Sequence, residues 1–267
     1  MMSKNKEYAF CIDSDGCAMD TMTYKHHLFF GPLAAKVFKV PNQEDFLKKW
    51  DYINLFSRTR GVNRFVGLVM GLEYADIGGI DKLKQWVAST PSLSNASLEK
   101  ELKQNPSDDL EKALNWSKEV NQHIKEYQGD ALAFAGVQEG LAILHELGKV
   151  YVVSSANREA VEEEWSDQAL IGYVDNLYCQ DFGKKEDVIA ALVAEGYKRD
   201  HLLMVGDSPG DLAAAEQNQV AFYPILVGKE TESWKNLKDS FSQKFISGHV
   251  STEELEQLKQ SFWENLE

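Results

Sequence analysis

The run Tyr8-Ala9-Phe10-Cys11-Ile12 ends in Asp13-Ser14-Asp15-Gly16. Two carboxylates one residue apart, delivered by a short apolar stretch, suit a hard-cation site. They also suit a division of labour in which one carboxylate attacks and the other carries a proton. Far along the chain a second apolar run, His201-Leu202-Leu203-Met204-Val205, ends in Gly206-Asp207-Ser208-Pro209-Gly210-Asp211. Two more stretches add compatible groups. Val152-Val153 is followed by Ser154 and Ser155, and Asn176–Cys179 is followed by Asp181-Phe182-Gly183-Lys184-Lys185. Hydroxyls and an ammonium beside carboxylates and a cation are the parts needed to handle an anionic group.

These residues meet only if their runs are strands of one sheet that end on the same side. Five apolar runs read as buried strands: Tyr8–Ile12, Val150–Val153, Asn176–Cys179, Leu202–Val205 and Val220–Ile225. The last four alternate with helical stretches at Glu159–Leu170, Glu186–Glu195 and Leu212–Gln217, and Glu139–Leu147 leads into the second strand. Such alternation predicts a Rossmann-like parallel sheet with crossover helices, whose ligands sit at the strands' carboxyl ends.

Well over a hundred residues separate the first strand from the second, too many for a structureless loop. Helical spacing is read over Phe46–Phe56, Phe65–Leu72, Ile80–Val87 and Asp108–Tyr127, the last with Ser107 as its expected N-cap. The predicted organisation is therefore an α/β core made of residues 1–20 and 131–267, interrupted by an all-helical insert over 21–130. Beyond Gly228 two or more further helices are expected, carrying Trp234, Phe241, Phe245 and Phe262.

The 267 residues are 43% hydrophobic and 26% charged, with a formal net charge of −14. That balance disfavours nucleic acid and anionic membrane as partners. An anionic substrate would then need local positive charge. The three cysteines, Cys11, Cys17 and Cys179, have no zinc-like spacing and suggest no disulfide framework. The amino-terminal segment is polar, and the run after it is too short for a signal peptide or a membrane span. A soluble, cytoplasmic protein is the expectation; oligomeric state is not legible.

Taken in order, Asp13-x-Asp15-Gly16, Ser154, Lys184-Lys185 and Gly206-Asp207-x-x-x-Asp211 resemble the motifs of the haloacid dehalogenase superfamily of phosphohydrolases. The resemblance spans the whole α/β part. It implies a Mg²⁺-dependent phosphomonoester hydrolase acting on a small phosphorylated metabolite through an aspartyl-phosphate. In that scheme Asp13 is the nucleophile and Asp15 the general acid and base. Ser154 and a lysine contact the phosphoryl group, and Ser155 belongs to the substrate-binding set. Asp13, Asp207, Asp211 and the Asp15 carbonyl form the Mg²⁺ surroundings, with Asp211 orienting either metal-bound water or the lysine. Counting back from the helix start favours Lys185, whereas the Gly183-Lys184 pair favours Lys184; Lys185 is preferred. The chain departs from the family at Cys17, where threonine is usual.

The insert follows the first motif directly and resembles a C1-type helical cap, which implies closure over the site. Asp20-Thr21 matches the hinge. Three of the five arginines, Arg58, Arg60 and Arg64, fall within eight residues of one another in the insert. Gly61-Val62-Asn63-Arg64 resembles the cap loop of β-phosphoglucomutase-like members, so Arg60 and Arg64 are expected to bind substrate, and their replacement to leave stability nearly unchanged. His26 and His27 are read as cap-helix residues. The alternatives are a phosphomutase or phosphonatase on the same core, or a catalytically silent binding protein of this fold.

Overall fold

The computed structural model describes residues 7–266. The polar lead-in Met1–Lys6 lies outside the described residues, as does Glu267. The described chain divides into two compact units, one formed by residues 7–22 with 131–266 and the other by Thr23–Asp130.

The first unit is built on five parallel strands: β1 Ala9–Ile12, β2 Lys149–Val153, β3 Asn176–Tyr178, β4 Leu202–Gly206 and β5 Ala221–Pro224, in the order β3-β2-β1-β4-β5. All five expected strands are present, and each boundary lies within a residue or two of its apolar run. The central strands β1 and β4 are apolar throughout because both faces are covered, whereas β2 and β3 begin with Lys149 and Asn176. Phe10, Ile12, Leu203 and Val205 pack into one cluster, and Ala9, Cys11, Leu202 and Met204 into another. Burial alone lifts the Cys11 thiol pKa to about 12, so this cysteine is an inert core group.

In this unit α8 Val137–Leu147, α9 Arg158–Asp167, α10 Lys185–Ala194 and α11 Pro209–Asn218 link the strands. Beyond β5 come α12 Glu230–Asn236, a π-helical turn at Leu237–Phe241, α13 Ser242–Ile246 and α14 Thr252–Asn265. Trp234, Phe241, Phe245 and Phe262 are buried.

The second unit is helical throughout. It comprises α1 Met22–Lys25, which begins one residue before it, α2 Gly31–Val37, α3 Gln43–Asp51, α4 Arg64–Tyr74, α5 Asp81–Ser89, α6 Asn95–Gln104 and α7 Asp108–Glu126. π-helical segments at His26–Phe30 and Tyr52–Phe56 extend α1 and α3. This unit has its own core around Trp50, Phe65, Leu68 and Trp116. Ser107 stands at the N-cap position of α7 but makes no side-chain cap bond; its hydroxyl donates instead to Asp109 Oδ1 at 2.5 Å. The buried Asp109 carboxylate accepts that hydroxyl proton and also accepts from the Leu83 N–H at the start of α5. Among the described residues no helix is long and apolar enough to cross a membrane.

Candidate active site at the carboxyl rim of the sheet

The strand order reverses between β1 and β4, and open parallel sheets form their ligand crevice at such a switch point. Ile12 lies beside Val205 and Val152, so Asp13 and Gly206 leave the sheet side by side. The Val205 carbonyl fixes the departure. It accepts from the Asp13 N–H at 3.0 Å and from the Cys17 thiol at 3.5 Å. The thiol therefore makes a hydrogen bond at the position where the superfamily usually has threonine. Burial, then Asp207, Asp13 and Asp211, push its pKa well up, so it stays protonated and a donor.

Four charged side chains converge behind this rim. Lys185, the first residue of α10, places Nζ 2.7 Å from Asp13 Oδ1 and 2.6 Å from Asp211 Oδ1. Lys184 points away and is 75% exposed, with Glu186 at 3.8 Å. The geometry thus brings Lys185, only 12% exposed, and not Lys184 to the carboxylates. Asp211, in the first turn of α11, is fully buried. Its Oδ2 accepts from the N–H of Asp207 at 3.2 Å, and from the N–H and hydroxyl of Ser208 at 3.0 and 2.7 Å. Asp211 Oδ1 meets the Lys185 ammonium, as lysine orientation, one of the two roles read for it from sequence, requires. The carboxylate oxygens of Asp13, Asp207 and Asp211 lie within 4.8 Å of one another.

Electrostatics follow from this crowding. Burial first, then Asp211, raise the Asp13 pKa well above the carboxylate range, with Lys185 opposing and Asp207 adding to the rise. Burial opposes charge on Lys185, but Asp13 and Asp211 outweigh it and hold the ammonium above the usual lysine value. Three buried carboxylates around one ammonium carry excess negative charge. An all-oxygen, buried donor set of this sign fits a hard divalent cation.

Gly206 makes the crowding sterically possible. A Cβ there would lie 2.3 Å from Asp211 Cγ and 2.4 Å from its Cβ. Gly206→Ala is expected to expel the Asp211 carboxylate and release Lys185. The check is a fall in both Tm and turnover, against an unchanged Tm in Gly78→Ala, where a Cβ meets nothing.

Asp15, half-buried, accepts through Oδ1 from the Thr21 hydroxyl. Ser154 is buried one residue past β2; its N–H donates to Tyr178 O at 2.9 Å and its Oγ accepts from the Ala156 N–H at 3.1 Å. Ser155 beside it is exposed. Strand register places both serines on the rim that carries Asp13.

Arg60 and Arg64 make hydrogen bonds within the helical unit. Arg60 is buried, and its Nη1 donates to Leu55 O at 2.7 Å. Arg64 Nη1 donates to Ser117 Oγ at 3.1 Å and Asn121 Oδ1 at 2.6 Å, and its guanidinium lies 5.0 Å from the Phe30 ring centre. Burial lowers its pKa to about 10. The expectation that their replacement leaves stability unchanged is thereby corrected: Arg60→Met should cost about 1–3 kcal/mol, because a buried carbonyl loses a charged donor. Chemical denaturation reads this directly. His26 Nδ1 accepts from the Trp50 indole at 3.0 Å and His27 pairs with Asp51 at 3.1 Å. Both histidines are also internal to the helical unit.

Two site-shaping groups escaped the sequence reading. The Trp165 indole donates to Ser14 Oγ at 2.8 Å, and the Trp234 indole to Cys17 O at 2.9 Å. These bonds join residues too far apart in sequence for spacing to reveal them.

A family model described as haloacid dehalogenase-like hydrolase matches residues 84–225, slightly more than half of the chain. No curated protein matches. Among solved structures, a protein of Lactobacillus delbrueckii subsp. bulgaricus provisionally named a phosphoglycolate phosphatase aligns at TM-score 0.55 and 18% identity, covering 96% of this chain and 98% of that one. One of Haemophilus somnus with the same provisional name aligns at TM-score 0.52 and 13% identity, over 84% and 86% of the two chains. A Thermotoga maritima protein provisionally named a β-phosphoglucomutase aligns at TM-score 0.51 and 17% identity, over 88% and 99%. At these identities the structural likenesses speak for the fold alone. The family match takes in β2 to β5, and the register of β1 between β2 and β4 brings Asp13 to the same rim: the chain belongs to the haloacid dehalogenase-like hydrolases.

Proposed function

We propose that the protein is a phosphomonoester hydrolase that acts on a small phosphorylated substrate through an aspartyl-phosphate on Asp13. The observation that carries this reading is the buried Asp13–Lys185–Asp211 chain beside Asp207 at the switch point of the sheet.

Asp13 and Asp207 would hold Mg²⁺, together with the Asp15 carbonyl, and Asp211 would stand behind them as the orienting group. The cation supplies charge neutralisation, which lets an anionic phosphoryl group approach an anionic nucleophile. The chain's own residues do the rest. An Asp13 carboxylate oxygen attacks phosphorus while the ester oxygen leaves, and Asp15 delivers the proton that oxygen needs. Asp15 then takes a proton from the water that cleaves the acyl phosphate, restoring Asp13 and releasing phosphate. Lys185 offsets charge on the transferring group, and Ser154 offers a hydroxyl to it. Thr21, bonded to Asp15, holds the acid in a defined orientation. The helical unit is proposed as the source of substrate selection.

The test is hydrolysis of p-nitrophenyl phosphate. Purified protein should release phosphate with Mg²⁺ and stop on chelation, with recovery when Mg²⁺ is restored. Full activity in excess chelator would sink the reading.

A further inference from the structure

The Asp13–Asp15 loop is held from outside by two tryptophans on different helices. Ser14 lies between the two aspartates and is fully buried, as are Cys17, Trp165 and Trp234. Ser14 already works at the site through its backbone. Its N–H donates to Asp13 Oδ1 at 2.8 Å, the same oxygen that meets Lys185. Its carbonyl gathers the N–H groups of Cys17, Ala18 and Met19 at 3.3, 3.0 and 2.9 Å, which closes the turn. The orientation of the Ser14 peptide therefore sets which Asp13 oxygen faces the lysine and where Asp15 emerges.

A serine hydroxyl in this place has no reason to be buried unless something fixes it. The Trp165 indole of α9 supplies the donor. On the other side of the turn, the Trp234 indole of α12 donates to the carbonyl of Cys17, whose thiol is tied to β4. The fold makes room for Trp234 at a specific cost: a Cβ on Gly140 of α8 would stand 2.6 Å from Trp234 Cε3. The α12 helix lies beyond the stretch that the family model matches, so this second hold belongs to the chain's own carboxyl-terminal helices.

We propose that Trp165 and Trp234 are positioning residues, each fixing the 14–17 loop through its indole N–H and so setting the alignment of Asp13 and Asp15. The inference rests on the hydrolase reading above. Side chains locked by such outer partners keep reacting groups within the tolerance catalysis demands.

The test compares Trp165→Phe, Trp234→Phe and Gly140→Ala with Phe262→Leu, whose buried ring packs on the opposite face of the sheet. With p-nitrophenyl phosphate, each tryptophan variant should lose about 10- to 100-fold in kcat, with KM within a small factor of wild type. Calorimetric Mg²⁺ binding should weaken by about 10-fold. Gly140→Ala keeps the indole but displaces it, and should follow the same pattern. Phe262→Leu should lower Tm while leaving kcat and Mg²⁺ affinity in place. If a phenylalanine variant fails to fold, benzothienylalanine at 165 or 234 removes the N–H at unchanged ring size, and the same readings apply. Tryptophan variants that lose Tm but keep wild-type kcat and Mg²⁺ affinity would reduce the indoles to packing groups and overturn the proposal. An active Asp13→Asn enzyme would instead overturn the hydrolase reading.

Discussion

Asp13→Asn is expected to abolish phosphate release, by on the order of 10⁴-fold or more, in a protein that stays folded. An amide cannot form the acyl phosphate, and no second carboxylate shares the position of Asp13 between Ser14 and Lys185. Stability should move the other way. Asp13's pKa is raised in the fold, by burial first and then by Asp211. A carboxyl whose folded pKa exceeds its unfolded value opposes folding once both states are ionised. Removing the charge therefore removes a cost at neutral pH. In chelator, Tm of the variant should equal or exceed that of wild type. With Mg²⁺ the order should reverse, because the intact site gains binding energy that the variant lacks. Residual Mg²⁺-dependent turnover near wild type would exclude Asp13 as the nucleophile.

Lys185→Met should carry the largest stability penalty at the site. Its ammonium is the partner that Asp13 and Asp211 share, and all three side chains are largely withdrawn from water. Removing the shared cation strands both buried carboxylates, at a cost of about 3–5 kcal/mol. For a chain of this size that is a fall in Tm on the order of 10 °C. Turnover should drop by about 10²–10³, the usual toll for losing a charge-stabilising donor. Two further measurements separate electrostatics from packing. Mg²⁺ should restore part of the lost Tm. The gap to wild type should also narrow as pH falls, because protonating the stranded carboxylates removes their repulsion. Lys184→Met, at an exposed position, should do none of this.

How much of this was legible in the sequence depends on the range of the interactions involved. The five strands were readable because burial on both faces demands unbroken apolar runs, and the parallel α/β class followed from their alternation with helices. Between Lys184 and Lys185 two local signals conflicted, and Lys185 was preferred on the count from the helix start. The two are adjacent at a loop–helix junction, and only the start of α10 decides which one turns inward. Helix α6, Asn95–Gln104, was missed because it is mostly polar, with Leu98 its one fully buried residue. The π-helical segments at His26–Phe30, Tyr52–Phe56 and Leu237–Phe241 add a residue to a turn and break the period that sequence reading relies on. Arg60 and Arg64 read as substrate-binding because clustered arginines suit an anionic ligand. Their internal acceptors, Leu55 O, Ser117 and Asn121, become visible only once the helices pack.

The strand order has a consequence for how the chain is made. β1 sits at the centre of the sheet, yet both of its neighbours, β2 and β4, are synthesised after the entire helical unit. At ribosomal speeds the gap between β1 and β2 amounts to about 7–30 s. Throughout that interval a nascent strand of Ala9, Phe10, Cys11 and Ile12, apolar on both sides, has no sheet to join. The helical unit, with a core of its own, can collapse meanwhile. The strand that carries Asp13 thus leaves the ribosome well before either of its neighbours exists, and its apolar faces must wait for both.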